Sequence, residues 1–464
     1  MLTMKFGGTS VGDVPRLQEV VAIVKQFLDK QPVIVASAMS GVTNILLDTS
    51  QRALERKTGE VNNAITALRD KHLHIANTLI QDYQRRAALI KEQQESIDEL
   101  TNLYHGVSLL RELSPRSLDA IASFGEILSC RQIAAILQES GIDAQFIDSR
   151  TIIRTDDNFG EASIDFIYSN AAINNALAPL VQKGIVPVVT GFIASTEDGI
   201  TTTIGRSGSD YTGSIVGAAV NSEEIWIWTD VDGVMTADPR FVKGAKVLSE
   251  ISYREAAEMS YFGAKVIHPK TMVPAIEKKI PIRIKNTFNP THPGTLISAK
   301  PKSVASAAKT VTSIDNLAII SIEGNGMIGV PGVSGRIFSA LARAQVNVMM
   351  ISQASSEHNV CFIVPQKDCH TGAKTLREEF SVDIAKKIID DVLVKEPVSI
   401  VAVVGEGMIG SKGIAGKTFD AVAKADVNVI AIAQGSSELN ISFVVEQPDA
   451  KKTVQAVHDA FYKN

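Results

Sequence analysis

Leu2-Thr3-Met4-Lys5-Phe6-Gly7-Gly8-Thr9-Ser10 opens the chain, and its reading decides the fold. A short apolar strand carries a lysine and runs into two adjacent glycines. Lacking side chains, Gly7 and Gly8 let backbone N–H groups approach a phosphate closely, and Lys5 adds a point charge. Thr9 and Ser10 are placed to cap a helix starting near Pro15, whose N-terminus favours negative charge. The same stretch alone also reads as an ordinary strand-to-helix turn, so the rest of the sequence has to arbitrate.

Outward from that stretch the texture is α/β up to about Leu296. Val33-Ile34-Val35-Ala36 is a near-continuous apolar run, as expected of a strand buried on both faces of a parallel sheet. Ala144–Ile147, Ile185–Val189 and Glu224–Trp228 read the same way, and helical patterns separate them. A wound α/β sheet follows. Thr43 to Leu113 has little strand signal and reads as a helical insertion. Ser114-Pro115 then restarts the pattern with an N-cap and a proline at the first helical position.

After Pro290-Thr291-His292-Pro293-Gly294 a repeat begins. Ile319–Val364 realigns with Ile400–Val445 at a constant offset: Gly324-Asn325-Gly326-Met327-Ile328-Gly329 returns as Gly405-Glu406-Gly407-Met408-Ile409-Gly410. Gln353-Ala354-Ser355-Ser356-Glu357 returns as Gln434-Gly435-Ser436-Ser437-Glu438. Each copy predicts a small ferredoxin-like βαββαβ unit. The expected domains are therefore 1–296, 313–390 and 397–464, with strands exchanged between the last two.

A length of 464 residues is too great for one core, and 45% apolar residues argue against disorder. The net charge of −5 is mild, which gives no reason to expect nucleic acid or an anionic membrane as partner. Cys130, Cys361 and Cys369 do not form a metal spacing and cannot all pair, which fits a reducing cytoplasm. No apolar run is read as long enough to span a bilayer. The strand at the N-terminus leaves no room for a leader, so a cytoplasmic protein is expected.

Polar clusters fall where a wound sheet holds its ligands, beyond the carboxyl ends of strands. Ser37–Asn44 follows the second strand, and Gly191-Phe192-Ile193 leads to Thr203–Tyr211. Thr229–Met235 follows Trp228 and runs on to Asp238-Pro239-Arg240; Lys265 stands within Tyr261–Pro269. Singly, each reads more readily as a turn or a cap. His268, before Pro269, is read as structural.

In this order the clusters resemble the amino-acid kinase family, and within it the aspartate kinases. The resemblance is carried by Lys5-Phe6-Gly7-Gly8-Thr9-Ser10, Ser123-Phe124-Gly125-Glu126, Gly205–Tyr211, Trp228-Thr229-Asp230-Val231 and Phe262-Gly263-Ala264-Lys265-Val266. The C-terminal repeat is similar to the family's paired ACT domains. Two departures stand out: Ser207 where a second glycine is frequent, and Met235 where a tyrosine often lies near the nucleotide. Met235 retains apolar cover for a base or ribose but has no hydroxyl.

The resemblance implies phosphoryl transfer from ATP, with Mg²⁺, to the side-chain carboxylate of L-aspartate. A carboxylate with a pKa near ~4 is already ionised at neutral pH and needs no general base. The difficulty is an anion approaching a triphosphate, so catalysis is positioning and charge neutralisation. Lys5, with the N–H groups of Gly7 and Gly8, is assigned to the transferring phosphate, and Lys265 to the nucleotide phosphates. By resemblance Thr229, Asp230, Met235, Arg240 and Val266 line the nucleotide site. Arg206 is the natural clamp for the substrate α-carboxylate and Glu126 the partner of its ammonium. Thr43, Ser207, Gly208 and Ser209 complete the substrate site, with Asp210 orienting Lys5. No protein metal ligand is assigned.

Gln353 and Gln434, with Asn347 and Asn428, are assigned to an amino-acid effector. The Gln-x-Ser-Ser-Glu form resembles threonine-sensitive members more than lysine-sensitive ones. A homo-oligomer, dimer or dimer of dimers, is expected through the ACT domains. The rival readings are a kinase acting on another small acid or a nucleotide, a sensor that has lost its activity, and half of a bifunctional enzyme carrying homoserine dehydrogenase. Retention of Lys5, Arg206, Asp230 and Lys265 argues against the sensor. The end at Asn464, with no dinucleotide fingerprint, favours a single-activity enzyme.

Overall fold

The structure is a computed structural model that describes residues 1–263, 267–301, 307–353 and 358–463. It divides into two compact units. The first comprises Met1–Val234, Ser249–Tyr253 and Ile267–Pro301; the second comprises Met235–Leu248, Arg254–Val266 and Lys302–Asn464. Part of the predicted 1–296 domain thus packs with the C-terminal repeat.

The strands of the first unit are β1 (Leu2–Phe6), β2 (Pro32–Ala36), β3 (Ala144–Ile147), β4 (Val186–Thr190), β5 (Ile193–Ser195), β6 (Thr201–Thr203), β7 (Glu224–Thr229), β8 (Glu250–Ser252), β9 (Ile282–Asn286) and β10 (Thr295–Ser298). Among the described residues, eight form one sheet in the order β3-β4-β2-β1-β7-β9-β10-β8, while β5 and β6 form a separate ribbon. β1 lies parallel between β2 and β7, with Lys5 opposite Val35 and Ile227. Buried on both faces, these strands can be apolar throughout, which is why they read as runs and not as alternation.

The helices are α1 (Val14–Gln26), α2 (Val42–Leu54), α3 (Thr58–Leu79), α4 (Tyr83–Leu110), α5 (Pro115–Glu139), α6 (Phe166–Gln182) and α7 (Gly208–Ala219), followed by α8 (Tyr253–Tyr261) and α9 (Pro269–Lys278). The insertion is helical, as α2 to α4. Ser114 caps α5 by accepting from Ser117 N, with Pro115 in the first turn. One expectation fails: α5 is long and apolar enough to cross a bilayer, yet 89% of that stretch is buried inside the protein. It is a core helix, packed against α2, α3 and α4. Thr9 and Ser10 do not cap α1. Asp13 does so, accepting from Arg16 N at 3.1 Å, while Ser10 is buried and bonds Thr287 at 2.7 Å.

The second unit holds β11 (Thr310–Glu323), α10 (Val333–Arg343), β12 (Met350–Gln353), β13 (Asn359–Pro365), α11 (Cys369–Glu379), α12 (Ser381–Ala385), β14 (Asp391–Val404), α13 (Ile414–Lys424), β15 (Ala431–Ala433), β16 (Asn440–Glu446) and α14 (Ala450–Tyr462). The sheet order is β12-β13-β11-β14-β16-β15. The long strands β11 and β14 each serve both copies. Residues 317–323 pair with 391–398 beside β13, whereas 310–314 pair with 400–404 beside β16. The second copy therefore takes its fourth strand from residues ahead of the first copy. The fourth strand of the first copy, 391–395, lies beyond the boundary at 390.

α5 touches the loop after β2 through Gly125, where an added Cβ would sit 2.7 Å from Ala38 Cβ. Gly125→Val is expected to destabilise the protein by about 1–3 kcal/mol through overpacking, and to displace Glu126. Urea unfolding of an unchanged variant would show that the approach is not tight.

Candidate active site

A cavity of about 570 Å³ opens beyond the carboxyl ends of β1, β2 and β4, wholly within the first unit. It gathers Lys5, Gly8, Thr43, Glu126 and the run Arg206-Ser207-Gly208-Ser209-Asp210. Residues from separated segments of sequence meet because parallel strands deliver their following loops to one edge.

Lys5 is 7% exposed, and its ammonium lies 2.5 Å from Asp210 Oδ1. Asp210 stands in the first turn of α7, where a carboxylate is stabilised by the helix N-terminus. The approach of α7 is close: Gly208 lies so near Phe192 that a Cβ there would be 2.6 Å from the ring. Ser207 precedes the helix in the left-handed region, φ 55°, which explains why glycine is frequent in the resembling sequences and shows that serine holds the turn here. Arg206, just outside that N-terminus, is exposed and has no ion-pair partner among the described residues. A free guanidinium beside a helix N-terminus is an anion site.

Glu126 is 3% exposed. Its Oε1 accepts from Ala38 N at 3.0 Å, and its Oε2 is buried without a partner among the described residues. Burial is the dominant influence and pushes this carboxyl up to about 8, against the lowering effects of its hydrogen bonds and of Lys5. A cation arriving in the cavity would supply the missing partner.

The two glycines of the opening stretch play different parts from those expected. The Gly7 N–H donates to Trp228 O at 3.1 Å and so is committed to the sheet; it is not free for a phosphate. Gly8 lines the cavity, and a Cβ on it would lie 2.8 Å from Ala38 O. Thr229 and Asp230 end β7 in the same unit but do not line this cavity; Thr229 Oγ1 donates to Asp230 at 3.3 Å. Met235 and Arg240 belong to the second unit, where Arg240 pairs with Asp238 at 2.5 Å. Lys265 and Val266 lie outside the described residues. His268 is the N-cap of α9, its Nδ1 accepting from Lys270 N.

Sequence reading overlooked Asp119. Buried on α5, it accepts from Gly160 N at 2.9 Å, Thr203 N at 2.9 Å and Thr203 Oγ1 at 2.8 Å. It thereby fixes two segments that flank the cavity. Its signal was present: an acid in an apolar helix, two turns ahead of Glu126 on the same face. Phe192, also on the cavity, has φ 67°, a conformation costly for a bulky residue.

In the second unit Gln353 lines a cavity of about 280 Å³ with Met327, Gly329–Gly335 and Val360. Asn347, Gln434 and Asn428 are exposed and do not line it. Ala354–Glu357 lie outside the described residues.

The site is a buried lysine–aspartate pair beside an open cavity at the carboxyl edge of a wound sheet, and the likeness to known proteins gives its class. Residues 1–286 match the amino acid kinase family, and 320–380 and 401–461 match the ACT domain. The chain is 38% identical, over 99% of its length, to bifunctional aspartokinase/homoserine dehydrogenase 1 of Arabidopsis thaliana, and spans 50% of that relative. It is 34% identical to aspartokinase 3 of the same plant, covering 99% of this chain and 81% of the relative. E. coli aspartokinase III, solved with aspartate and ADP, covers 100% of both chains at 30% identity and a TM-score of 0.82; its complex with lysine and aspartate gives 0.80. The chain belongs to the amino acid kinase family, and within it to the aspartokinases with tandem ACT domains. It spans about half the length of the bifunctional relatives it matches.

The buried carboxyl makes a prediction. An unfolded Glu126 ionises near 4.5 and the folded one near 8. Between these values the unfolded state has lost a proton that the folded state keeps. The stability supplied by the protonated group is complete below about 4.5 and is lost as pH rises through 8. Glu126→Gln is expected to flatten that dependence and to stabilise the ligand-free protein by on the order of 1–3 kcal/mol near pH 8. Urea denaturation across this range checks it, and a destabilised glutamine variant contradicts it.

Proposed function

We propose that the chain transfers the γ-phosphoryl group of ATP to the side-chain carboxylate of L-aspartate, giving 4-phospho-L-aspartate and ADP. The observation that carries this is the grouping of an orphaned Glu126 oxygen, the free Arg206 and the Lys5–Asp210 pair around one cavity. An α-ammonium fits Glu126, which it would hold ionised. An α-carboxylate fits Arg206 and the N-terminus of α7. That leaves the side-chain carboxylate facing Lys5. Its oxygen attacks the γ-phosphorus in line, and the bond to the β-phosphate oxygen breaks. Lys5 neutralises charge on the transferring group, and Asp210 holds it in place. Mg²⁺ fits as a companion of the phosphates: Asp230, exposed at the end of β7, offers one carboxylate, and magnesium retains waters elsewhere. The resemblance to aspartokinase III, solved with aspartate and ADP, supports the same assignment.

Coupled ADP release with aspartate, glutamate and homoserine tests the substrate. Activity with aspartate alone is expected. Lys5→Ala should lower kcat by about 10²–10³ in a protein that still folds, with some loss of Tm because Asp210 is left without its partner. Arg206→Lys and Glu126→Gln should raise the aspartate KM well above any change in the ATP KM. Near-normal kcat in Lys5→Ala would overturn the assignment.

The second unit supports feedback control at the start of a pathway leading from aspartate to lysine, threonine and methionine. Among the described residues, those lining the cavity with Gln353 carry no carboxylate, so a lysine ε-ammonium would be desolvated against them without a counter-charge. A threonine hydroxyl finds the Gln353 amide. Exposed Ile351 on β12 and Ile432 on β15 support a homo-oligomer formed through this face, where the two strands meet through Ser352 Oγ donating to Ile432 O at 3.1 Å. Free cysteines support a reducing, cytoplasmic setting. α8 offers a route for the signal, because within this unit it bonds both copies: the Tyr261 hydroxyl donates to Met349 O at 2.8 Å, Glu255 accepts from Glu406 N at 2.8 Å, and Glu258 accepts from Asn440 Nδ2 at 2.5 Å. Gln353→Ala should relieve threonine inhibition, losing a coupling of about 1–3 kcal/mol, while uninhibited kcat is unchanged. Full threonine sensitivity in that variant, or inhibition by lysine alone, counts against this reading.

A further inference from the structure

None of the steps above uses a cluster at the start of α11. Cys369 opens that helix, buried, and His370 follows it. The Cys369 thiol donates to Glu396 Oε2 at 3.1 Å, and His370 Nε2 lies 3.3 Å from Glu396 Oε1. The three donor atoms lie within 4.8 Å of one another. Among the described residues no other group of three such side chains is held as closely.

The repeat provides an internal control. At the constant offset, Cys369 corresponds to Ala450, His370 to Lys451 and Glu396 to Asp315. The second copy starts its helix at the equivalent place, with α14 beginning at Ala450. Asp315 there accepts from Ser399 Oγ at 2.7 Å. The fold thus requires neither thiol nor imidazole at this corner, and only the first copy brings a soft, a borderline and a hard donor together.

We propose that Cys369, His370 and Glu396 form a site for a thiol-preferring divalent cation, with Zn²⁺ the best match and a water as fourth ligand. These are zinc's three protein ligand types, and the spacing suits metal–ligand bonds of about 2.0–2.3 Å. Thiolate and imidazole together disfavour Mg²⁺ and Ca²⁺. His370 is 81% exposed and gives an ion its entry. A thiol binds such an ion as the thiolate, so binding releases its proton to solvent and strengthens with pH. The ion ties α11 to the residue at which β14 leaves the first copy for the second.

The test uses the full chain, stripped with a chelator and titrated with Co²⁺. One equivalent is expected to bind, with a near-ultraviolet thiolate-to-cobalt absorption, release of one proton and displacement by Zn²⁺. Cys369→Ser should abolish the absorption and Cys361→Ser should retain it. His370→Gln, at an exposed position that does not threaten folding, should weaken binding by at least about tenfold, since even an outer-shell partner is worth that much. Glu396→Gln should do the same. Thermal melts without metal establish that each variant is folded. Absorption that persists in Cys369→Ser, unchanged affinity in His370→Gln, or no absorption with the intact chain would overturn the proposal.

Discussion

A lysine on a central strand, flanked by buried neighbours, forces the arrangement of the first unit. Lys5 projects from a face of β1, not from its paired edges, and α7 covers that face, with Gly213 against the lysine stem. A buried ammonium without a partner is costly, so its charge must be met at the sheet's carboxyl edge. α7 supplies that partner by bringing Asp210 down on the end of β1. The helix can do so only because Gly213 and Gly217 leave room beside Lys5 and Ile225, where a Cβ would lie 3.1 Å and 2.6 Å from those side chains. The position of α7 then fixes where Ser207, Arg206 and the helix N-terminus stand. The pair that neutralises one buried charge thereby builds the anion-binding side of the cavity.

What was legible in the sequence follows from the range of each interaction. The parallel strands showed themselves because burial on both faces leaves an unbroken apolar run. The pocket residues showed themselves because they follow those runs directly. The Gly7 N–H was misjudged, because its bond to Trp228 O depends on a strand more than two hundred residues away. Asp13 and not Thr9 or Ser10 caps α1 for a related reason: Ser10 is drawn inward to Thr287, a partner no local pattern reveals. α5 was missed as a bilayer-length segment because Ser, Gln and charged residues interrupt it, whereas mean hydropathy over the whole stretch is high.

Strand exchange was expected from the repeat, but its form came from register. β11 and β14 run antiparallel, and each passes from one copy into the other, with irregular pairing near Leu317. Neither copy of the repeat can complete its sheet alone. The two copies thus share continuous strands, a physical connection along which coupling between sites could run. Two segments that precede the repeat, 235–248 and 254–266, fold with it. Ala237 and Val242 join the apolar core formed by Val401, Phe443 and Val457, and Thr236 bonds His458 at 2.9 Å. Sequence order assigns these segments to the kinase domain, while packing assigns them to the ACT repeat.

Glu126 shows why such a site is strained without its ligand. The carboxyl is enclosed because Gly125 lets α5 touch the loop after β2, and that same contact gives it one backbone donor and denies it a second. Folding without substrate leaves a buried acceptor short of a hydrogen bond, a cost that a fully polar pocket open to water would not carry. A cation beside Oε2 would recover that cost, since it would both satisfy the oxygen and favour the ionised form. On the proposed reading, recognition of the substrate ammonium rests on this one unmet acceptor. A molecule without a positive charge at that position would leave the deficit in place, however well its remaining atoms fit, and discrimination would follow from that difference.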